Sequence, residues 1–220
     1  MNMGRIITLS VALMLSPLAH AGMIEYKTWE TEPATDSGNY IFTVTQGGGF
    51  FNYNLTVNPW NAEALGLFID FGNVDLGVAA NVTNEIPSGE VSLFAQDTMS
   101  NDCGAGCTLQ GPFKKDEGPG VYDNEWELVF SLADQGWDNI QTFSWTTQDF
   151  GLALSDFGLV GIRSQQLCSG NDLLPGDEDD CDGSDKSYSG TPVSVPEPAT
   201  IALFALGLLG LGLTRVRAKS

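Results

Sequence analysis

Two glutamates, Glu125 and Glu127, flank Trp126. On a strand, residues two apart share a face, with Cα atoms about 6.5–7 Å apart. Paired carboxylates are the groups that hydrolyse glycosidic bonds, one as acid and one as base or nucleophile. A second acidic constellation lies between Cys168 and Lys186, where Asp172, Asp177, Glu178, Asp179, Asp180, Asp182 and Asp185 crowd together. Hard carboxylate oxygens are the ligands calcium selects. Asp177, Asp179, Asp180, Asp182 and Asp185 are the candidate ligands. The spacing departs from an EF-hand loop, because Cys181 stands where a third oxygen ligand is expected if Asp177 is first. Read without a metal, the stretch is a solvated acidic loop. Trp60 and Trp137 lie near turns and are candidates for stacking on sugar rings, whereas Trp126 and Trp145 fit the alternation of core strands.

Other chemistries are excluded by composition. The only histidine of the 220 residues is His20, and it falls in an N-terminal targeting segment. The remaining domain therefore has no histidine for a Ser-His-Asp triad, a Cys-His dyad or a His-containing zinc site. The chain has 9 basic and 28 acidic residues, a net charge of −19. Four of the basic residues (Arg5, Arg215, Arg217, Lys219) and one acid (Glu197) lie in the terminal segments. That leaves 5 basic and 27 acidic residues in the domain between them, a net of about −22. Such a surface repels nucleic acid and anionic membranes.

The four cysteines are Cys103, Cys107, Cys168 and Cys181. An even count in an exported chain favours disulfides. The short Cys103-Gly-Ala-Gly-Cys107 segment suits a local bridge, and Cys168 and Cys181 bracket the acidic loop. The favoured pairing is 103–107 with 168–181; the crossed pairings stay open, and a Cys₄ zinc site is the metal alternative.

The two ends carry addresses. Residues 1–5 form a short basic region and residues 6–15 an apolar one. Pro17 and the small-x-small triplet Ala19-His20-Ala21 follow. This is the pattern of a secretory signal peptide over residues 1–21, leaving Gly22 as the mature N-terminus. At the other end stand Val195, Pro196, Glu197 and Pro198, then an uncharged apolar run through Leu213, then Arg215, Arg217 and Lys219. The prolines keep the motif extended, since proline fixes φ and lacks an N–H. A helix over residues 200–213 would span about 21 Å, short of the ~30 Å hydrocarbon core, which suits a temporary anchor through residues 199–213. The basic residues form a stop that stays in the cytoplasm.

This order over residues 195–220 resembles the PEP-CTERM sorting signal of Gram-negative bacteria. The resemblance implies processing by an exosortase, a membrane cysteine peptidase, near Val195-Pro-Glu-Pro198, and a cell that makes extracellular polysaccharide. It also implies export, transient inner-membrane anchoring, and a final place on the cell surface or in the biofilm matrix.

Residues 22–194 read as one all-β domain, an antiparallel β-sandwich or jelly-roll-like fold. Strands are expected at 24–29, 40–45, 51–57, 64–71, 74–80, 90–95, 126–131, 140–147 and 157–166. The strongest signal is Phe51, Tyr53, Leu55 and Val57 alternating with Asn52, Asn54, Thr56 and Asn58. Residues 64–71 read as a central strand. The only weak helical candidate is 133–137. The segments Val160-Gly161-Ile162-Arg163 and Gly183-Ser184-Asp185-Lys186, the latter read as a turn, resemble the closing segments of β-sandwich domains that precede PEP-CTERM signals.

Three functions follow as expectations. The first is an exported surface or matrix protein with no catalytic activity and no cofactor. The second is a calcium-assisted carbohydrate-binding module using Trp60, Trp137 and the acidic loop. The third is a glycosidase using Glu125 and Glu127. Jelly-roll glycosidases resembling laminarinases carry a Glu-x-Asp-x-(x)-Glu strand. This chain departs from that pattern at the catalytic positions themselves: Trp126 separates the acids, Glu127 stands for the middle Asp, and Val129 and Phe130 occupy the positions where the last Glu is expected.

Overall fold

The structure is a computed structural model, and it describes residues 22–31, 37–72, 74–109, 125–134, 138–168, 181, 183–190 and 192–195. Fourteen strands appear among these residues. In chain order they are β1 (Met23–Tyr26), β2 (Glu30–Thr31), β3 (Tyr40–Gly47), β4 (Phe50–Val57), β5 (Glu63–Ile69), β6 (Thr83–Ile86) and β7 (Val91–Thr98). There follow β8 (Asp102–Gly104), β9 (Cys107–Thr108), β10 (Trp126–Leu132), β11 (Thr142–Gln148), β12 (Val160–Leu167), β13 (Gly183–Ser189) and β14 (Val193–Val195). Sheet A has the order β14-β1-β3-β4-β11-β6, sheet B the order β2-β13-β12-β5-β10-β7, and β8 pairs with β9 as a separate hairpin. All pairings are antiparallel.

The alternation in residues 51–57 sets which face of sheet A is buried. Phe51, Tyr53, Leu55 and Val57 are buried, and β3 matches them with Tyr40, Phe42 and Val44. The hairpin between β3 and β4 turns through Gly48 and Gly49, both at positive φ (65° and 85°). Glycine takes that conformation without a Cβ clash, as a two-residue hairpin turn requires. Sheet B offers Leu67, Ile69, Leu128, Phe130 and Ile162 to the same core. Aromatic rings join the layers: Tyr53 of sheet A lies 5.7 Å from Phe130 of sheet B, and Phe130 lies 5.1 Å from Trp145 of sheet A. This is face-to-face sheet packing. Every residue of β5 is buried, and β5 lies between β12 and β10, as expected for a central strand.

The outer face of sheet B is covered as well. Leu65, Phe68, Trp126 and Val129 form a second apolar cluster with Cys103, Cys107 and Leu109. Cys103 and Cys107 form a disulfide, and so do Cys168 and Cys181, the local pairing expected. The first bridge sits on bare backbone. A Cβ at Gly66 would lie 2.6 Å from Cys103 Sγ and 2.7 Å from Cys107 Sγ. Gly66→Ala is therefore expected to overpack this layer, at about 1–3 kcal/mol, and to lower the melting temperature by several degrees. The same change in a Cys103→Ala/Cys107→Ala background should cost clearly less. Equal losses in the two backgrounds, measured by circular dichroism, would refute this account.

Three expectations need correction. Residues 74–80 form no strand among the described residues. Asp75 Oδ1 instead accepts the N–H of Gly77 (2.8 Å), Gly77 adopts φ 66°, and the Ala80 N–H goes to the Gln96 side chain (2.7 Å). Local side-chain bonds thus compete with the ladder. The pairing on that flank comes from β6, an edge strand with Asn84 at φ 55°. Gly183-Ser184-Asp185-Lys186 is not a turn but the start of β13, because Asp185 and Ser187 are drawn inward by buried hydrogen bonds. No helix begins at Ala133, which adopts φ 51°; residues 135–137 lie outside the described residues.

Candidate functional site

The glutamate pair is divided by burial. Glu125 immediately precedes β10 and is half-exposed, whereas Glu127 has no exposed surface. Glu127 Oε2 accepts the N–H of Phe71 at 2.5 Å. Continuing the β10–β5 register, in which Leu128 faces Ile69, places Glu127 opposite Asp70, also fully buried. Asp70 Oδ1 accepts the N–H of Gly72 (2.6 Å). These carboxylates terminate strand backbone inside sheet B. The two glutamates do not together line an open cleft.

Asp185 is set apart from the rest of the acidic stretch. It lies on β13 and is 3% exposed. Its Oδ2 accepts from Gly38 N–H (2.9 Å), Tyr40 OH (2.8 Å) and Ser187 Oγ (2.8 Å), and its Oδ1 accepts from Ser187 Oγ (2.9 Å). Tyr40 OH also meets Ser164 Oγ at 2.5 Å. A carboxylate of sheet B is thereby tied to a tyrosine of sheet A. Burial first, and the neighbouring Asp185 charge second, push the Tyr40 phenol well above its usual range, so it stays a neutral donor. Asp177, Asp179, Asp180 and Asp182 lie outside the described residues, as does Trp137. No group of three metal-binding side chains occurs among the described residues. Trp60 is half-buried and packs on the main core and on the Cys168–Cys181 bridge.

Glu63, at the start of β5, is an ionisable group that pattern reading passed over. It is 1% exposed. Its Oε1 accepts the N–H groups of Asp138 (3.2 Å) and Asn139 (3.1 Å). Burial, then the charge of Asp138, raises the Glu63 pKa to about 7, and burial raises Asp138 as well. Glu90 and Asp134 add further negative charge beside Asp138. A carboxyl whose folded pKa exceeds its unfolded value binds its proton more tightly when folded. Stability is then greatest below the ordinary glutamate range and falls as pH rises through about 7. The wild type should melt at higher temperature at pH 5.5 than at pH 8, and Glu63→Gln should shrink that difference. An unchanged difference in the variant, read by thermal melts in matched ionic strength, would refute the assignment.

On the outer face of sheet A, among the described residues, Phe50, Asn52 and Thr142 are exposed, Thr146 is buried and the rest of the rows on β3, β4 and β11 are half-buried. From β3 this face presents Ile41, Thr43 and Thr45. From β4 it presents Phe50, Asn52, Asn54 and Thr56, and from β11 Thr142, Ser144, Thr146 and Gln148. None of these eleven side chains is charged. They align in rows across the strands: Thr43–Asn54–Ser144 in one, Thr45–Asn52–Thr146 in the next. Asn54 Nδ2 donates to Ser144 Oγ (2.8 Å), Thr146 Oγ1 to Asn52 Oδ1 (3.1 Å) and Thr56 Oγ1 to Asn54 Oδ1 (3.2 Å). Of these positions, sequence analysis singled out only Asn52, Asn54 and Thr56, as the polar half of an alternation. The signal it passed over was the missing charge.

The domain's exit lies beside its entrance. β14 forms one edge of sheet A against β1, with Val195 opposite Met23 and Val193 opposite Glu25. Val195 is thus the last residue of a paired strand and lies beside Met23, near the start of the described domain. Pro196, Glu197, Pro198, the apolar run 199–213 and Arg215, Arg217 and Lys219 lie outside the described residues. No helix among the described residues is long and apolar enough to cross a membrane. Residues 194–217 match the family model described as the PEP-CTERM protein-sorting motif.

The chain carries a PEP-CTERM sorting motif. The match begins inside β14, so the motif joins the folded domain without a spacer. A PEP-CTERM signal indicates export and processing at the membrane by an exosortase. No curated protein and no solved structure matches the chain. The PEP-CTERM match covers only the C-terminal end, and the work of the sandwich is a question for its own residues.

Proposed function

We propose that this chain is an exported, exosortase-processed protein of the cell surface or extracellular matrix, with a sandwich domain that binds or builds and does not catalyse. A signal peptide takes it across the inner membrane, the apolar run holds it there, and cleavage near Val195-Pro-Glu-Pro198 frees the domain. The observation that carries this reading is the PEP-CTERM match at residues 194–217. Its position supports it, because the motif starts at the edge strand that closes the domain. The non-catalytic part rests on the loss of the one histidine with the leader and on the burial of Glu127. The test is whether the chain is shortened and released from the membrane in a motif-dependent way. Release that is indifferent to the motif would overturn the proposal.

A further inference from the structure

We infer that the outer face of sheet A is a docking platform for an extended, neutral polysaccharide. Three observations meet on it. The first is charge. A soluble surface of ordinary composition would place about three charges on eleven outward positions, and this chain of net charge −19 places none. The row is bounded on β1 by an acid, Glu25, which stands opposite Thr43 and is paired with Lys27 at 2.8 Å. Burying charged side chains under a neutral ligand costs desolvation energy, whereas hydroxyls and amides exchange water for sugar hydroxyls at little loss.

The second is order. Asn54, Ser144, Asn52 and Thr146 are already bonded to one another along the rows. Rotamers held in place before binding lower the entropy cost of capture. The third is an aromatic. Phe50 lies on the same face, 49% exposed, beside the Gly48-Gly49 turn. A Cβ added at Gly48 would lie 4.0 Å from the ring, so the turn leaves the ring uncrowded. A flat apolar ring next to rows of neutral donors and acceptors matches a pyranose, which has C–H faces and hydroxyl edges. From Phe50 to Thr56 the platform runs about 20 Å, enough for several linked sugars.

The alternatives fit less well. A polyanion would meet the field of a strongly acidic domain. A second copy would press two polar faces together with almost no apolar gain. The inference does not rest on the sorting assignment, since it uses only sheet A; a failed sorting test leaves it standing, and the reverse holds.

The test is affinity electrophoresis of the full-length chain in non-ionic detergent. Native gels would contain hydroxyethyl cellulose, xylan or galactomannan, with alginate and plain gels for comparison. Retardation is expected in at least one neutral gel and not in alginate. Phe50→Ala should weaken it about tenfold, and Thr45→Glu, which puts a charge among the rows, should abolish it. Both positions lie outside the core, so melting temperatures should stay near wild type, separating lost binding from lost fold. Absence of retardation in every neutral gel, equal retardation in alginate, or retardation unchanged in both variants would each overturn the inference.

Discussion

Replacement of Pro196-Glu197-Pro198 by three alanines is expected to leave most of the chain uncut in the inner membrane. Proline cannot donate an N–H to a helix ladder, and it pushes the preceding residue toward extended backbone. Two prolines around one glutamate therefore hold a short stretch that a peptidase can bind as an open strand. Alanine is the best helix former. Three alanines ahead of residues 199–213 would favour helix through the motif and withdraw the backbone that is to be cut. The folded side adds a second constraint, because Val195 is paired with Met23 at the edge of sheet A. In sequence, only residues 196–198 separate the paired Val195 from the apolar run at 199. Fractionation and immunoblotting of wild type and variant in a cell with an exosortase should show processed, released protein for the former and membrane-bound precursor for the latter. Normal maturation of the variant would sink the sorting assignment.

The sandwich was legible where burial follows a strict period. Phe51, Tyr53, Leu55 and Val57 read as one buried face and form one. The dense apolar run after Glu63 read as central and is central. Cys103–Cys107 and Cys168–Cys181 were legible because short separations favour local closure. Sequence patterns failed where a side chain substitutes for a backbone partner. Asp75 and Gln96 take the N–H groups of residues 77 and 80, and no strand forms there. Glu63, Glu127 and Asp185 failed for a related reason. Charged types are expected outside, yet each is buried as an acceptor for backbone N–H groups that the ladders leave over. Whether a given acid has this use depends on residues far away in sequence, which periodicity does not reveal. The uncharged outward rows of β3 and β4 were legible in principle, since their positions can be counted from the alternation alone.

The largest effect on the domain itself is expected from Asp185→Leu. Leucine has the branched four-atom outline of aspartate, with bulkier methyl groups in place of the oxygens, and accepts no hydrogen bond. Gly38 N–H, Tyr40 OH and Ser187 Oγ would all lose their acceptor. Tyr40, Ser164 and Ser187 are buried, so water does not readily replace it. An orphaned buried donor costs about 1–3 kcal/mol. The Tyr40 hydroxyl retains Ser164 as a second partner, which offsets part of the loss. The net is about 4 kcal/mol, a large share of the 5–15 kcal/mol that holds a typical domain. A fall in melting temperature of about 10 °C or more follows for a domain of this size. Asp185→Asn keeps one acceptor oxygen and should lose roughly half as much, and Tyr40→Phe, which removes a single donor, less again. The same melts separate this role from metal binding. An acceptor that ties sheet B to Tyr40 of sheet A acts whether or not calcium is present, so the loss should be equal in excess chelator and in millimolar calcium. A leucine variant as stable as wild type would refute the network, and a loss confined to calcium-containing buffer would return Asp185 to the list of metal ligands.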